Sequence, residues 1–185
     1  TGNATITYEV TNTCGSATAT KNFTVHPVPE TGIITGLLTV CKGAEFTFSS
    51  TMTGGAWSSG NTSVAIIGSS SGNVSTLTVG VTVITYSVTN AYGCTNDTSL
   101  TLTVTTPSFS LSESINAIRC FGSNDGSISV DVVNATGSYL YTWSTGDSAG
   151  FIDHLVSGAY TVSVKEISTQ CILTDSFYLQ DPDSM

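Results

Sequence analysis

Basic residues are nearly missing from this chain. Four Lys and Arg stand among 185 residues, against thirteen Asp and Glu, for a formal net charge of −9. A surface that grips phosphates needs clustered cations, so nucleic acid and anionic membrane are excluded as expected partners. Charge of either sign is scarce, at 9% of residues, where a soluble domain ordinarily carries about a quarter. No apolar run reaches the roughly 18 residues of a membrane span, so no membrane insertion is expected. No basic stretch followed by an apolar one opens the segment as a signal peptide would. Only two histidines occur, His26 and His154, and no two cysteines have the C-x-x-C spacing. A zinc site is therefore not expected. No stretch carries a convincing helical period.

What is present is hydroxyl and β-branch. There are 32 Thr and 27 Ser, about a third of the chain, and 39% hydrophobic residues. So much apolar content is not that of a disordered polar tract, and the residue types favour strands. Period-2 alternation runs throughout: Ile6, Tyr8 and Val10; Phe46 and Phe48; Leu100, Leu102 and Val104; Ile128, Val130 and Val132. Each is the signature of a strand with one buried face. Breaks rich in Gly, Asn, Ser and Asp separate them, as at 53–55, 58–61, 68–72, 123–126 and 144–147. Many short strands with turn residues between them predict all-β sandwiches.

An internal repeat organises the chain. Residues 6–12 read ITYEVTN and residues 84–90 read ITYSVTN, identical at six of seven positions. Each is followed by a cysteine, then a Thr-rich strand, then a proline (Cys14 and Pro27, Cys94 and Pro107). The segment 1–27 thus reads as the last two strands of a unit whose front lies outside the segment. Residues 28–107 read as one complete unit, a seven-strand sandwich. Residues 108–185 read as a third unit of parallel plan, carrying nine of the acids. Trp57 in AWSSGN and Trp143 in TWSTGD precede matching turns. Each is read as a core plug on a central strand, with Tyr86 and Tyr160 in the core on the strand before the last.

Two resemblances follow from these residues. Segment 28–107 resembles the bacterial Ig-like repeats of tandem surface adhesins. It carries Thr39-Val40-Cys41-Lys42-Gly43 early and Thr85-Tyr86-Ser87-Val88-Thr89-Asn90, then Gly93-Cys94, late. Segment 110–182 is similar to the SprB-type repeat of gliding-motility adhesins. Its matching pieces are C-F-G-S-N-D-G-S at 120–127, Y-T-W-S-T-G at 141–146 and G-A-Y-T-V-S-V at 158–164, before a late Cys171. It departs at Ile172-Leu173, where small polar residues are usual, and at Gln170, where glycine precedes the cysteine elsewhere. The resemblance implies a large secreted bacterial surface protein of Ig-like sandwiches in a row, with no catalytic residues.

The five cysteines fit an oxidising compartment. Each unit has one early and one late cysteine, and Cys14 lacks its early partner, which is expected outside the segment. The simplest pairing is Cys41–Cys94 and Cys120–Cys171, within units. Strand parity sets a second pairing against it. Five strands separate the early and late turns of an Ig order, so these turns fall at opposite ends. Either one strand is missing from that order, or the early cysteine of one unit bonds the late cysteine of the next. The pairing within units is preferred here.

Chemistry is otherwise thin. Gly68-Ser69-Ser70-Ser71-Gly72 matches G-x-S-x-G but lacks a strand-to-helix context and a His–acid pair, so no enzyme is expected. Six Asn-x-Ser/Thr sequons, at Asn3, Asn22, Asn61, Asn73, Asn96 and Asn134, are weak signals at this Ser/Thr content. Asn124, Asp125, Asp147 and Asp153 are candidate oxygen ligands for calcium, the only cofactor considered. The commoner reading makes them turn residues. Tyr139, Tyr141 and Trp143 share one face of a strand, either core or a platform for a sugar. The reading is a structural stalk or fibre module of a cell-surface adhesin. Its partners would be neighbouring Ig-like domains or copies of itself, with surface polysaccharide as a further candidate. The alternative is a glycan-binding module or an accessory domain of a secreted enzyme.

Overall fold

The computed structural model describes residues 1–134 and 137–183. Every regular element among them is a strand. The chain forms a front hairpin and two β-sandwiches in a row.

The hairpin pairs β1 (Gly2–Asn12) with β2 (Gly15–Val25) antiparallel over their whole length. Only Thr13 and Cys14 lie between the strands. The register Ala4↔Phe23, Ile6↔Lys21, Tyr8↔Ala19 and Val10↔Ala17 gathers the apolar side chains on one face. Thr5↔Asn22, Thr7↔Thr20 and Glu9↔Thr18 make the other face polar. Every residue of both strands is exposed.

The first sandwich contains β3 (Ile34–Thr35), β4 (Thr39–Cys41), β5 (Glu45–Thr47), β6 (Ser49–Ser50), β7 (Ala56–Ser59), β8 (Ala65–Ile67), β9 (Asn73–Thr76), β10 (Gly80–Thr89) and β11 (Thr95–Thr105). These are nine elements where seven strands were expected. One strand is interrupted at Phe48, so β5 pairs with β9 while β6 pairs with β3. The larger sheet runs β4-β11-β10-β7, and β4 lies parallel to β11. The core between the sheets includes Val40, Phe48, Trp57, Val74, Ile84 and Leu102.

The second sandwich contains β12 (Ser110–Asn116), β13 (Gly126–Val133), β14 (Tyr139–Trp143), β15 (Phe151–Leu155), β16 (Gly158–Glu166) and β17 (Ile172–Leu179). Its sheets run β12-β13-β15 and β14-β16-β17. Ile128, Val130 and Ile152 of one sheet meet Trp143, Val162 and Phe177 of the other. Cys41, from the first sandwich's chain, belongs to this second core.

Both tryptophans are buried, but on edge strands of their sheets, β7 and β14, not on central ones. In a sandwich the inner face of an edge strand is still roofed by the opposite sheet, so an edge position does not expose the indole. The Trp143 Nε1–H donates to the Ala149 carbonyl at 2.7 Å. Tyr86 on β10 and Tyr160 on β16 are buried on the strands before the last. Each ties down a loop through its hydroxyl, Tyr86 donating to the Met52 carbonyl and Tyr160 to the Val156 carbonyl, both at 2.8 Å.

Candidate functional site: a cross-linked junction

The structure joins Cys41 to Cys171, with Cα atoms 4.8 Å apart and a separation of 130 positions in sequence. The thiols of Cys14, Cys94 and Cys120 are free. This corrects the preferred pairing of Cys41 with Cys94 and of Cys120 with Cys171. The reason is the length of the last strand. Cys41 pairs in register with Thr105, at the end of β11, whereas Cys94 immediately precedes the start of β11. Eleven residues at about 3.4 Å each set the two roughly 35 Å apart. A disulfide needs Cα atoms within about 7 Å. In the second sandwich Cys171 precedes β17, while the Cys120 loop meets the chain after β17, where the Gly122 amide donates to Asp181 at 3.3 Å. Neither pair can close. The parity argument therefore prevails over simple pairing, and the early cysteine of one sandwich bonds the late cysteine of the next.

Both cysteines are held by local structure before they meet. Cys41 opens a tight turn in which the Ala44 amide donates to the Cys41 carbonyl at 3.2 Å. Gly43 takes φ 84°, a left-handed conformation that a side chain would strain. The buried hydroxyl of Thr76 donates to the Cys41 carbonyl at 2.8 Å and accepts from the Ala44 amide at 2.9 Å. On the other side, the Glu166 amide donates to the Cys171 carbonyl at 2.8 Å. The Thr169 hydroxyl donates to the Glu166 carboxylate at 2.5 Å. The Thr169 carbonyl in turn accepts from the Cys41 amide at 2.9 Å, a backbone bond across the junction. With Cys41 4% exposed and Cys171 1%, the disulfide is shut away from solvent.

Beside it lies a groove lined by Lys42, Thr106 and Pro107 of the first sandwich and by Gln170 and Ile172 of the second. Gln170 and Ile172 are among the departures from the repeat pattern, while Leu173, the other one, packs against the second core. Gln170 takes φ 58°, and Gly93 before Cys94 takes φ 81°, so both residues fill the same left-handed position. Ile172 supplies apolar surface where the two sandwiches meet. The departures were thus the available signal for the junction.

The other candidate residues fall differently. The face carrying Tyr139, Tyr141 and Trp143 looks inward: Trp143 is buried and both tyrosines pack half-buried against the core. Burial, with the Asp131 charge second, raises the Tyr141 hydroxyl pKa. Asn124, Asp125 and Asp153 line one shallow hollow with His154. Asp147 is not among them and caps its own turn, accepting from the Thr145 hydroxyl at 2.7 Å. The Asp125 carboxylate accepts from the Ser123 hydroxyl at 2.7 Å and the Arg119 amide at 3.2 Å. Those bonds hold its pKa below the usual carboxylate value, the Ser123 bond contributing most. Among the described residues no group of three His, Cys, Asp or Glu side chains is placed to hold a metal ion. The 68–72 string turns between β8 and β9, with the Gly72 amide donating to the Gly68 carbonyl at 2.9 Å.

Residues 112–148 match the family model described as SprB repeat. No curated protein matches the chain. A solved structure titled surface layer protein SbsC, domains 4–9, aligns with 97% of this chain and 35% of its own length, at 18% identity and a TM-score of 0.33. The repeat match points to a cell-surface or extracellular protein.

Proposed function

We propose that this chain is a stalk or fibre module of a large secreted adhesin, holding a binding site at a fixed distance from the cell. The observation that supports this most is the Cys41–Cys171 bond between successive sandwiches. A linker alone lets two domains swivel. Here a covalent bond, a backbone hydrogen bond and a shared groove fix the second sandwich on the first. Tension entering from the N-terminal side reaches Cys41 and crosses the sulfurs to Cys171. The 130-residue separation, about 450 Å of extended chain, carries no load. A hydroxyl-rich surface with few charges suits a spacer that must stay soluble beside a cell.

The same reading treats the front hairpin as the last two strands of another unit. Its Ile6, Tyr8 and Val10 stand where Ile84, Tyr86 and Val88 enter the first core. A bare apolar face of this kind is otherwise a liability. Its partners are further units of the same plan. We read the chain as non-catalytic, since the G-x-S-x-G string closes a hairpin, whereas a nucleophile elbow leads from a strand into a helix.

Small-angle scattering with and without reductant tests the spacer role. The oxidised chain is expected to give one narrow distribution of lengths, and the reduced chain a broader one at unchanged strand content. Equal breadth in both states would remove the rigid-spacer reading.

A further inference from the structure

The Cys120 loop repeats the geometry of the Cys41 turn. In both, the amide three residues on donates to the cysteine carbonyl, Ala44 to Cys41 at 3.2 Å and Ser123 to Cys120 at 3.0 Å. In both, the second residue on is a left-handed glycine, Gly43 at φ 84° and Gly122 at φ 73°. In both, the turn sits against the chain leaving the last strand: Lys42 donates to the Thr105 carbonyl, and Gly122 donates to Asp181. The groove at Cys41 has the first sandwich's wall and, opposite, Gln170 and Ile172 of the next. The groove at Cys120 is lined by Arg119, Phe121, Pro182 and Asp183. That is one wall of the same junction. Phe121 stands 66% exposed beside an exposed thiol.

The turn at Cys94 repeats the Cys171 side. The Asn90 amide donates to the Cys94 carbonyl at 3.0 Å, as Glu166 donates to Cys171. A left-handed residue precedes each cysteine. The linker from the hairpin runs beside this turn, with Asn90 and Asn96 side chains donating to the Pro27 and Pro29 carbonyls at 2.8 and 3.0 Å. Thr106 and Pro107 occupy the corresponding place beside Cys171.

We infer that Cys120 and Cys94 are the outgoing and incoming halves of further stitches. Cys120 bonds the late cysteine of a unit that follows, and Cys94 the early cysteine of a unit that precedes. This rests on the stalk reading and deepens it. Each stitch joins two thiols, which lose two protons and two electrons to a disulfide-bearing thiol oxidant, itself reduced to a dithiol. The closed loops then overlap. Cys120 lies inside the loop that Cys41–Cys171 closes, and its own bond reaches beyond Cys171.

The test is a disulfide map of the protein in its native chain, isolated without reductant, with free thiols alkylated before digestion. The Cys120 peptide is expected linked to one whose cysteine immediately precedes the last strand of the next unit. The Cys94 peptide is expected linked to one carrying an early C-x-G turn. Alkylated Cys120 or Cys94 overturns the inference, as does a Cys94–Cys120 link or a link to a second copy of the chain. The stalk reading survives that failure if scattering still shows a rigid chain.

Discussion

Two seven-residue segments that differ at a single position meet different fates in this molecule. ITYEVTN in β1 and ITYSVTN in β10 both form strands, and each pairs with the strand that follows. Yet Ile84 is fully buried and Tyr86 is 4% exposed, while Ile6 is 60% and Tyr8 69% exposed. Alternation encodes the strand and the face that will be apolar. It does not encode the cover, which in the first sandwich comes from strands earlier in the chain. The Tyr86 hydroxyl shows the difference sharply. It donates to Met52 and accepts from the Gly55 amide at 2.9 Å, both on a loop that the hairpin does not possess.

Reduction gives the largest effect that separates the two regions. Closing a loop of 130 residues constrains the unfolded chain by about 5 kcal/mol in the entropy model. Cys171→Ser, followed by denaturant unfolding, should lose a comparable amount from the sandwiches. Amide exchange in β1 and β2 should not change, and a response there would mean the hairpin is coupled to the junction. Next, Ile84→Ala should cost about 3 kcal/mol as a cavity in a packed core. Ile6→Ala should stay within about 0.5 kcal/mol in this chain, as an exposed site does. Similar costs at both positions would show that the hairpin face is covered. Third, Tyr86→Phe leaves the Gly55 amide without its acceptor and should cost about 1–3 kcal/mol, while Tyr8→Phe should be silent in the same melt.

The smallest effect concerns pH. Hydrogen bonds from Ser123 and Arg119 lower the Asp125 pKa in the folded state. Its contribution is therefore present above the unfolded carboxylate's pKa and is lost as pH falls through the lower folded one. Protection from amide exchange in residues 117–125, measured against the intrinsic rate at each pH, should fall at acid pH, and Asp125→Asn should abolish that fall. The Cys41 turn, pinned by the Thr76 hydroxyl, should show none.

Most of the strands were legible in the sequence because Thr and Val alternate so regularly, and the turns because Gly, Asn and Asp punctuate them. The tryptophans were legible as core residues but not as edge residues, since burial in a sandwich depends on the opposite sheet. The junction was half legible. One early and one late cysteine per unit fit both pairings, and the spans of β11 and β17 exclude the nearer one. Ile172 looked like an irregularity because the groove it lines lies at the boundary between sandwiches, and Gln170 because it fills a left-handed turn position that glycine fills at Gly93. Asp125 was ambiguous because a carboxylate that satisfies a turn and one that holds calcium are the same residue in sequence.

In a stalk, load would pass through the Cys41–Cys171 sulfurs, and pulling a single chain from its two ends reads that directly. The oxidised protein should never release the chain between Cys41 and Cys171. In reductant, the same molecules should lengthen by up to about 450 Å more, the extended length of the 130-residue separation. Release of that length from oxidised molecules would contradict the stitched junction.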